Sequence, residues 1–128
     1  MAPSIAPFIR SSSEVQATPV EGCRGATIQI LLGPEQGTPN FATRCFTLAP
    51  GGRIPAHRHV RIEHEQYMLD GEMVLCLDGE EHTVRAGDCM FIPAGTAHWY
   101  ENRGPQPARF LCMVPLTGDY QTEWLEEL

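Results

Sequence analysis

The sequence contains no lysine: all nine of its basic residues are arginines. Schiff-base chemistry and the phosphate-binding lysine of a Walker loop are therefore excluded. It also has no C-x-x-C pair. Its five cysteines (Cys23, Cys45, Cys76, Cys89 and Cys112) are odd in number and scattered, which fits neither a disulfide framework nor a zinc ribbon and fits reduced thiols. Cys45, Cys76, Cys89 and Cys112 lie in apolar runs and are expected to be small buried hydrophobes. Positive charge is scarce, and the net charge of −7 argues against nucleic acid or an anionic membrane as a partner. No apolar run nears the roughly 20 residues that cross a bilayer. Met1–Arg10 lacks the basic start and sustained apolar stretch of a secretory signal. A cytoplasmic protein with a small-molecule partner is expected.

What is present is turn signal. At 128 residues the chain fits one domain with one core. Its 11 prolines and 12 glycines favour short strands over long helices. Residues 1–25 are rich in Pro, Ser and Gly and read as a loosely ordered N-terminal arm. Residues 26–118 read as a β domain and 119–128 as a C-terminal tail, in which Gln121–Leu128 could form a helical turn. Strands are expected at Thr27–Leu32, Phe41–Leu48, Ile54–His59, Glu65–Leu69, Met73–Leu77, His82–Val84, Cys89–Ile92, His98–Glu101 and Ala108–Val114. Leu-Asp-Gly-Glu occurs twice, at Leu69–Glu72 and Leu77–Glu80. Asp-Gly between apolar runs signals a hairpin, so an antiparallel meander is expected. Many evenly spaced short strands suggest a closed barrel or jelly roll.

Four of the five histidines fall in two places. His57 and His59 are separated by one residue, and in a strand residues i and i+2 share a face, so two imidazoles stand side by side. His64 follows a short turn and can swing back to the same point, and His98 comes from a separate strand behind Gly95. Neutral imidazoles gathered from three strands suit Zn, Cu, Ni, Fe or Mn. His82, beside Glu80 and Glu81, reads as a surface residue.

Gly87–Asn102 matches G-x5-P-x-G-x2-H-x3-N at every fixed position, and Gly51–Gly71 matches G-x5-H-x-H-x4-E-x6-G except that His64 stands at the glutamate. The chain in this respect resembles the cupin family, over about residues 26–115, and is similar to its small single-domain four-histidine members. The resemblance implies an all-β fold, a single cupin jelly-roll barrel with the N-terminal arm outside it, and commonly a homodimer. It implies one divalent transition metal per chain on His57, His59, His64 and His98, with Mn or Fe favoured and Cu, Zn or Ni open. The family register places the fourth ligand at His64 rather than Glu63. Four neutral imidazoles leave a divalent site with a charge of about +2, which favours anionic oxygen ligands.

Strand parity supplies further candidates. Gln66 and Met68 share the face of His64, Tyr100 that of His98, Arg44 and Phe46 one face of the second strand, and Phe110 and Cys112 one face of the exit strand. Gln66, Tyr100 and Arg44 are candidates to support the metal chemistry; Phe46, Met68, Phe110 and Cys112 are candidates to touch substrate. Three functions stay open: a metal-dependent oxidoreductase making dioxygenase-type cleavages of a small enolate-like or phenolic substrate, a non-redox isomerase or lyase of a sugar-like acid, and a non-catalytic small-molecule-binding module. Thr27–Leu32, apolar at successive positions, would be an exposed edge and is the expected dimer contact.

Overall fold

Short apolar and β-branched runs broken by glycine and proline fold as strands in the computed structural model, which describes residues 5–117 and 119–128. Residues 1–4 of the expected arm and position 118, the expected end of the β domain, lie outside the described residues. In chain order the strands are β1 (Thr18–Pro19), β2 (Arg24–Leu32), β3 (Phe41–His59), β4 (His64–Asp70), β5 (Glu72–Leu77), β6 (Glu80–Arg85), β7 (Cys89–Ile92), β8 (His98–Glu101), β9 (Ala108–Pro115) and β10 (Thr122–Trp124). Among the described residues the only helical turns are two short 3-10 turns, Ser12–Glu14 and Pro34–Gln36. Among the described residues no helix is long and apolar enough to cross a membrane.

All strand pairs are antiparallel and join one curled sheet in the order β6-β5-β8-β3-β9-β4-β7, with β2 and β10 also on β3 and β1 on β2. The sheet curls far enough to bring the β6–β7 corner onto β4: Met68 N donates to Asp88 O at 2.9 Å, and Gly87 N donates to Met68 O at 2.9 Å. The result is the all-β jelly roll expected from the sequence. Alternation fills its interior. In β9, Ala108, Phe110, Cys112 and Val114 are buried while the residues between them are only partly so. Leu48, Ile62, Met68, Met73, Leu75, Ile92 and Phe110 are all at most 1% exposed, and full burial of side chains this size stabilises by about 1.5–3 kcal/mol each. Asn102, fully buried, ties the end of β8 to its surroundings: its Nδ2 donates to Leu48 O (3.0 Å) and Gln106 O (2.7 Å), and its Oδ1 accepts from Gly104 N (2.9 Å).

The structure corrects several local expectations. Pro50-Gly51-Gly52 bends a strand rather than ending one, so Phe41–Leu48 and Ile54–His59 are parts of the single 19-residue β3. Gly51 has φ +79°, a conformation that side chains with a Cβ rarely adopt; beyond the bend β3 leaves β9 and takes β8 and then β10 as partners, while β2 reaches it last at Arg53. Of the two Asp-Gly sequences, only Asp78-Gly79 makes a hairpin. It joins β5 to β6 with φ +48° and +84°, both positive as a type I′ turn requires. Asp70-Gly71 instead carries the chain from β4, paired with β7 and β9, to β5, paired with β6 and β8. Glycine is needed there because a Cβ would collide with the Pro107 carbonyl oxygen. The C-terminal tail holds a strand, β10, where a helical turn was expected. Cys89, expected to be buried, is exposed at the outward start of β7, while Cys45, Cys76 and Cys112 are buried and every cysteine is free.

The N-terminal arm lies along β2. Thr18 and Pro19 pair with Ile28 and Thr27, the Arg10 guanidinium donates to the Ile30 and Leu31 carbonyls, and Gln29 donates back to Ser12 O and Val15 O. The edge expected to meet a second chain is thus partly covered by the chain's own arm.

Candidate metal centre

The bend in β3 aims the site. A register shift between Ile54 and His57 inserts an odd residue, as β-bulges do near functional sites, so Ile54, His57 and His59 all face the same cavity. The cavity measures about 200 Å³ and is lined by all four histidines together with Arg44, Phe46, Gln66, Tyr100, Phe110 and Cys112. Met68 shares the face of Gln66 but is absent from this lining; it lies in the packed core, because parity fixes the side of a strand and not the depth along it.

One potential ligand nitrogen from each of His57, His59 and His98 lies within 4.8 Å of the other two. His64 is outside that trio, although its ring sits 4.6 Å from that of His59 and 5.8 Å from that of His98. Each member of the trio is held at Nδ1. His57 Nδ1 meets Pro55 O at 2.7 Å and His98 Nδ1 meets Thr96 O at 2.9 Å. Since a carbonyl only accepts, both rings carry the proton on Nδ1 and keep the Nε2 lone pair for a cation. His59 Nδ1 meets Thr122 Oγ1 at 3.2 Å. Nδ1 of His64 is buried with no hydrogen-bond partner among the described residues.

Electrostatics favour neutral rings. Burial is the largest cause in each case: it pushes His59 down to about 4, with His57 repelling a second charge, and His98 down to about 3, again with His57 opposing the charge. His64 falls to about 2 through burial and then His59, and His57 is also lowered by burial. Three imidazoles held neutral at physiological pH, two of them with the Nε2 lone pair free, and a fourth with an orphaned buried nitrogen fit a divalent transition metal.

Beside the histidines runs a stacked aromatic row. Phe46 and Phe110 have centroids 5.2 Å apart and Phe110 and Tyr100 5.1 Å apart, with interplanar angles of 12° and 18°. His98 meets Tyr100 edge-on at 5.6 Å. The buried Tyr100 hydroxyl accepts from Gln66 Nε2 at 2.8 Å, and burial pushes its pKa well above the ordinary phenol range. Gln66 Nε2 also lies 3.3 Å from Cys112 Sγ, which Arg44 reaches at 3.1 Å.

Parity within the earlier strands missed the fourth wall. Tyr120, Thr122 and Trp124 from the C-terminal segment line the cavity; the Trp124 ring is 5.0 Å from His57 and the Tyr120 ring 4.8 Å from His59. β10 pairs with His57–His59 itself. The available signal was the aromatic and β-branched alternation at positions 120, 122 and 124, a strand period in a segment too short to stand out. Val20 and Ile28 complete the lining from the N-terminal side.

Residues 44–114 match the family described as Cupin domain. The chain is 29% identical over 92 residues to the tetracenomycin polyketide synthase protein TcmJ of Streptomyces glaucescens, covering 71% of this chain and 62% of that protein. It is 42% identical over 50 residues to quercetin 2,3-dioxygenase of Bacillus subtilis, covering 39% of this chain and 15% of that enzyme. In both cases the chain spans less than two thirds of its relative's length. The solved structure of the polyketide cyclase RemF from Streptomyces resistomycificus superposes with a TM-score of 0.88 at 28% identity, covering 96% of this chain and 88% of that one.

Proposed function

The chain belongs to the cupin family, and from that premise we propose that it is a metal-dependent enzyme that closes a ring on a small, flat, oxygen-rich polyketone. The observation that carries this reading is the cavity wall, where an imidazole cluster faces a stacked aromatic row and no carboxylate lines the space among the described residues. Likeness to a polyketide cyclase over nearly the whole chain supports it.

In this reading His57, His59 and His98 hold a divalent transition metal and His64 is its fourth donor. When bound, that ion supplies Lewis acidity toward a carbonyl oxygen. The protein's own residues do the rest. Phe46, Phe110 and Tyr100 press a conjugated substrate flat. Tyr100 stays a neutral phenol at physiological pH, fixed by Gln66, and so holds a proton at its hydroxyl beside the His98 ring. Tyr120 and Trp124 cover the histidines and limit entry of water. The reaction is an aldol-type closure: a methylene between two carbonyls gives up one proton, and its carbon bonds to another carbonyl carbon whose oxygen takes up that proton. Loss of that hydroxyl together with the second methylene proton releases water and leaves a C=C bond. No electrons are gained or lost overall.

A second reading, oxygen-dependent cleavage of an enolate-like or phenolic substrate, is favoured by the match to quercetin 2,3-dioxygenase. Incubating metal-loaded protein with a stable aryl triketone, with and without air, separates the two. Ring closure with loss of water and no oxygen uptake is the expected result. Product formed only with oxygen consumption would replace the first reading with the second.

A further inference from the structure

Arg44 is the one permanently charged side chain among the described residues that line the cavity. Arg53, Arg58, Arg61, Arg85, Arg103 and Arg109 each face a carboxylate; Arg44 faces none among the described residues. Its NH1 donates to the Tyr120 hydroxyl at 3.1 Å and its NH2 to Cys112 Sγ at 3.1 Å. Its Nε is buried with no acceptor among the described residues. A guanidinium offers five N–H donors, so these contacts leave most of its capacity unused. A half-buried cation with no counter-ion is unfavourable unless something completes it, and its two side-chain partners, a hydroxyl and a thiol, bring no carboxylate to it. Its guanidinium carbon lies 5.2 Å from the Phe46 centroid and 5.6 Å from that of Tyr120.

Position adds to this. The Tyr120 ring packs on His59 while its hydroxyl meets Arg44, so the cation stands beside the histidine cluster and separate from it. The aromatic row runs from Phe46, under Arg44, through Phe110 and Tyr100 to His98. A flat molecule laid along that row would have one end at the histidines and the other at the guanidinium.

We propose that Arg44 is a specificity-determining residue that binds an anionic oxygen group of the ligand, so that the cavity takes planar conjugated carboxylates, with the carboxylate on the guanidinium and the ring system against Phe46. This rests on reading the cavity as a substrate site, and it names the substrate class.

The test measures binding, not turnover, with naphthoate and its neutral carboxamide as probes, each titrated into metal-loaded and metal-free protein and followed by tryptophan fluorescence. Wild type should bind naphthoate at least about tenfold more tightly than the amide in both metal states, as a charge-assisted bidentate pair requires. Arg44→Gln should lose that preference while keeping its affinity for the amide, and Arg44→Lys should keep part of it. A preference that survives Arg44→Gln, or one seen only with metal loaded, would overturn the proposal by assigning the anion to the metal. Absence of any preference in metal-free wild type would overturn it without recourse to a variant. If the carboxylate preference holds while the triketone is not cyclised, this inference stands and the ring-closing reading falls.

Discussion

His98 and His64 give the sharpest contrast between single residues. His98 belongs to the close trio and has its tautomer fixed by Thr96 O; His64 lies just outside the trio with an orphaned Nδ1. His98→Ala should abolish stoichiometric metal retention after gel filtration, read by plasma mass spectrometry. If His64 is the fourth donor, as proposed, His64→Ala should retain metal but bind it about tenfold or more weakly in chelator competition. Unchanged affinity in His64→Ala would reduce that residue to lining. The same rings make the metal-free fold pH-sensitive. His59 and His98 are pushed from the ordinary 6.5 down to about 4 and about 3, so below 6.5 the unfolded chain takes up protons that the folded one refuses. Their contribution to stability is complete above pH 6.5 and is lost progressively as pH falls toward about 4. The urea midpoint of metal-free protein should therefore drop between about pH 7 and about pH 5, before most carboxylates titrate, and His59→Gln should flatten the slope. These residues were legible in the sequence because His-x-His and the glycine–proline frame around His98 are local patterns. Arg44, Phe46, Gln66, Tyr100, Phe110 and Cys112 followed from strand parity. Met68 did not, since depth in a barrel depends on which strands cross it.

At the scale of elements, β10 shows what local pattern cannot supply. Three residues carry too little periodicity to announce a strand, and its partner lies some 65 positions away, where Glu123 pairs with Arg58. Non-local contact likewise decides between the two identical Leu-Asp-Gly-Glu sequences: one is a hairpin, and the other is a corner pressed on Pro107. The strand alternates in function as well as direction. Thr122 turns inward to His59, while Glu123 turns outward to the exposed Arg58 at 2.9–3.0 Å. Thr122→Val should weaken metal binding by about tenfold, the usual scale for losing a partner that orients a ligating imidazole. Glu123→Gln breaks an exposed ion pair of the kind that contributes little, and should leave metal affinity unchanged. Equal effects from the two would mean that β10 acts only as a cover.

Across the whole molecule, several apolar side chains are exposed along the arm, the end of β2 and the start of β3. Ile9 is fully exposed, Phe41 is 67% exposed, and Phe8, Ile30 and Leu32 are each more than a third exposed. Ile30 and Leu32 lie on β2, Phe41 opens the adjoining β3, and Arg10 anchors the segment carrying Phe8 and Ile9 to the Ile30 and Leu31 carbonyls. Isolated exposed apolar residues need no explanation, but a contiguous group marks a contact surface. The sequence pointed to strand pairing through Thr27–Leu32, yet β1 already occupies Thr27 and Ile28, so the contact open to a second copy is through these exposed apolar side chains rather than the strand edge. Light scattering should give about twice 14.2 kDa, and Ile30→Glu combined with Phe41→Glu should return the monomer with the circular dichroism spectrum unchanged. The net charge of −7 sets two copies against each other, so a dimer held by apolar contact should tighten as salt screens that repulsion. A dimer that weakens with salt would instead be held by ion pairs, and the double glutamate substitution would then leave it intact.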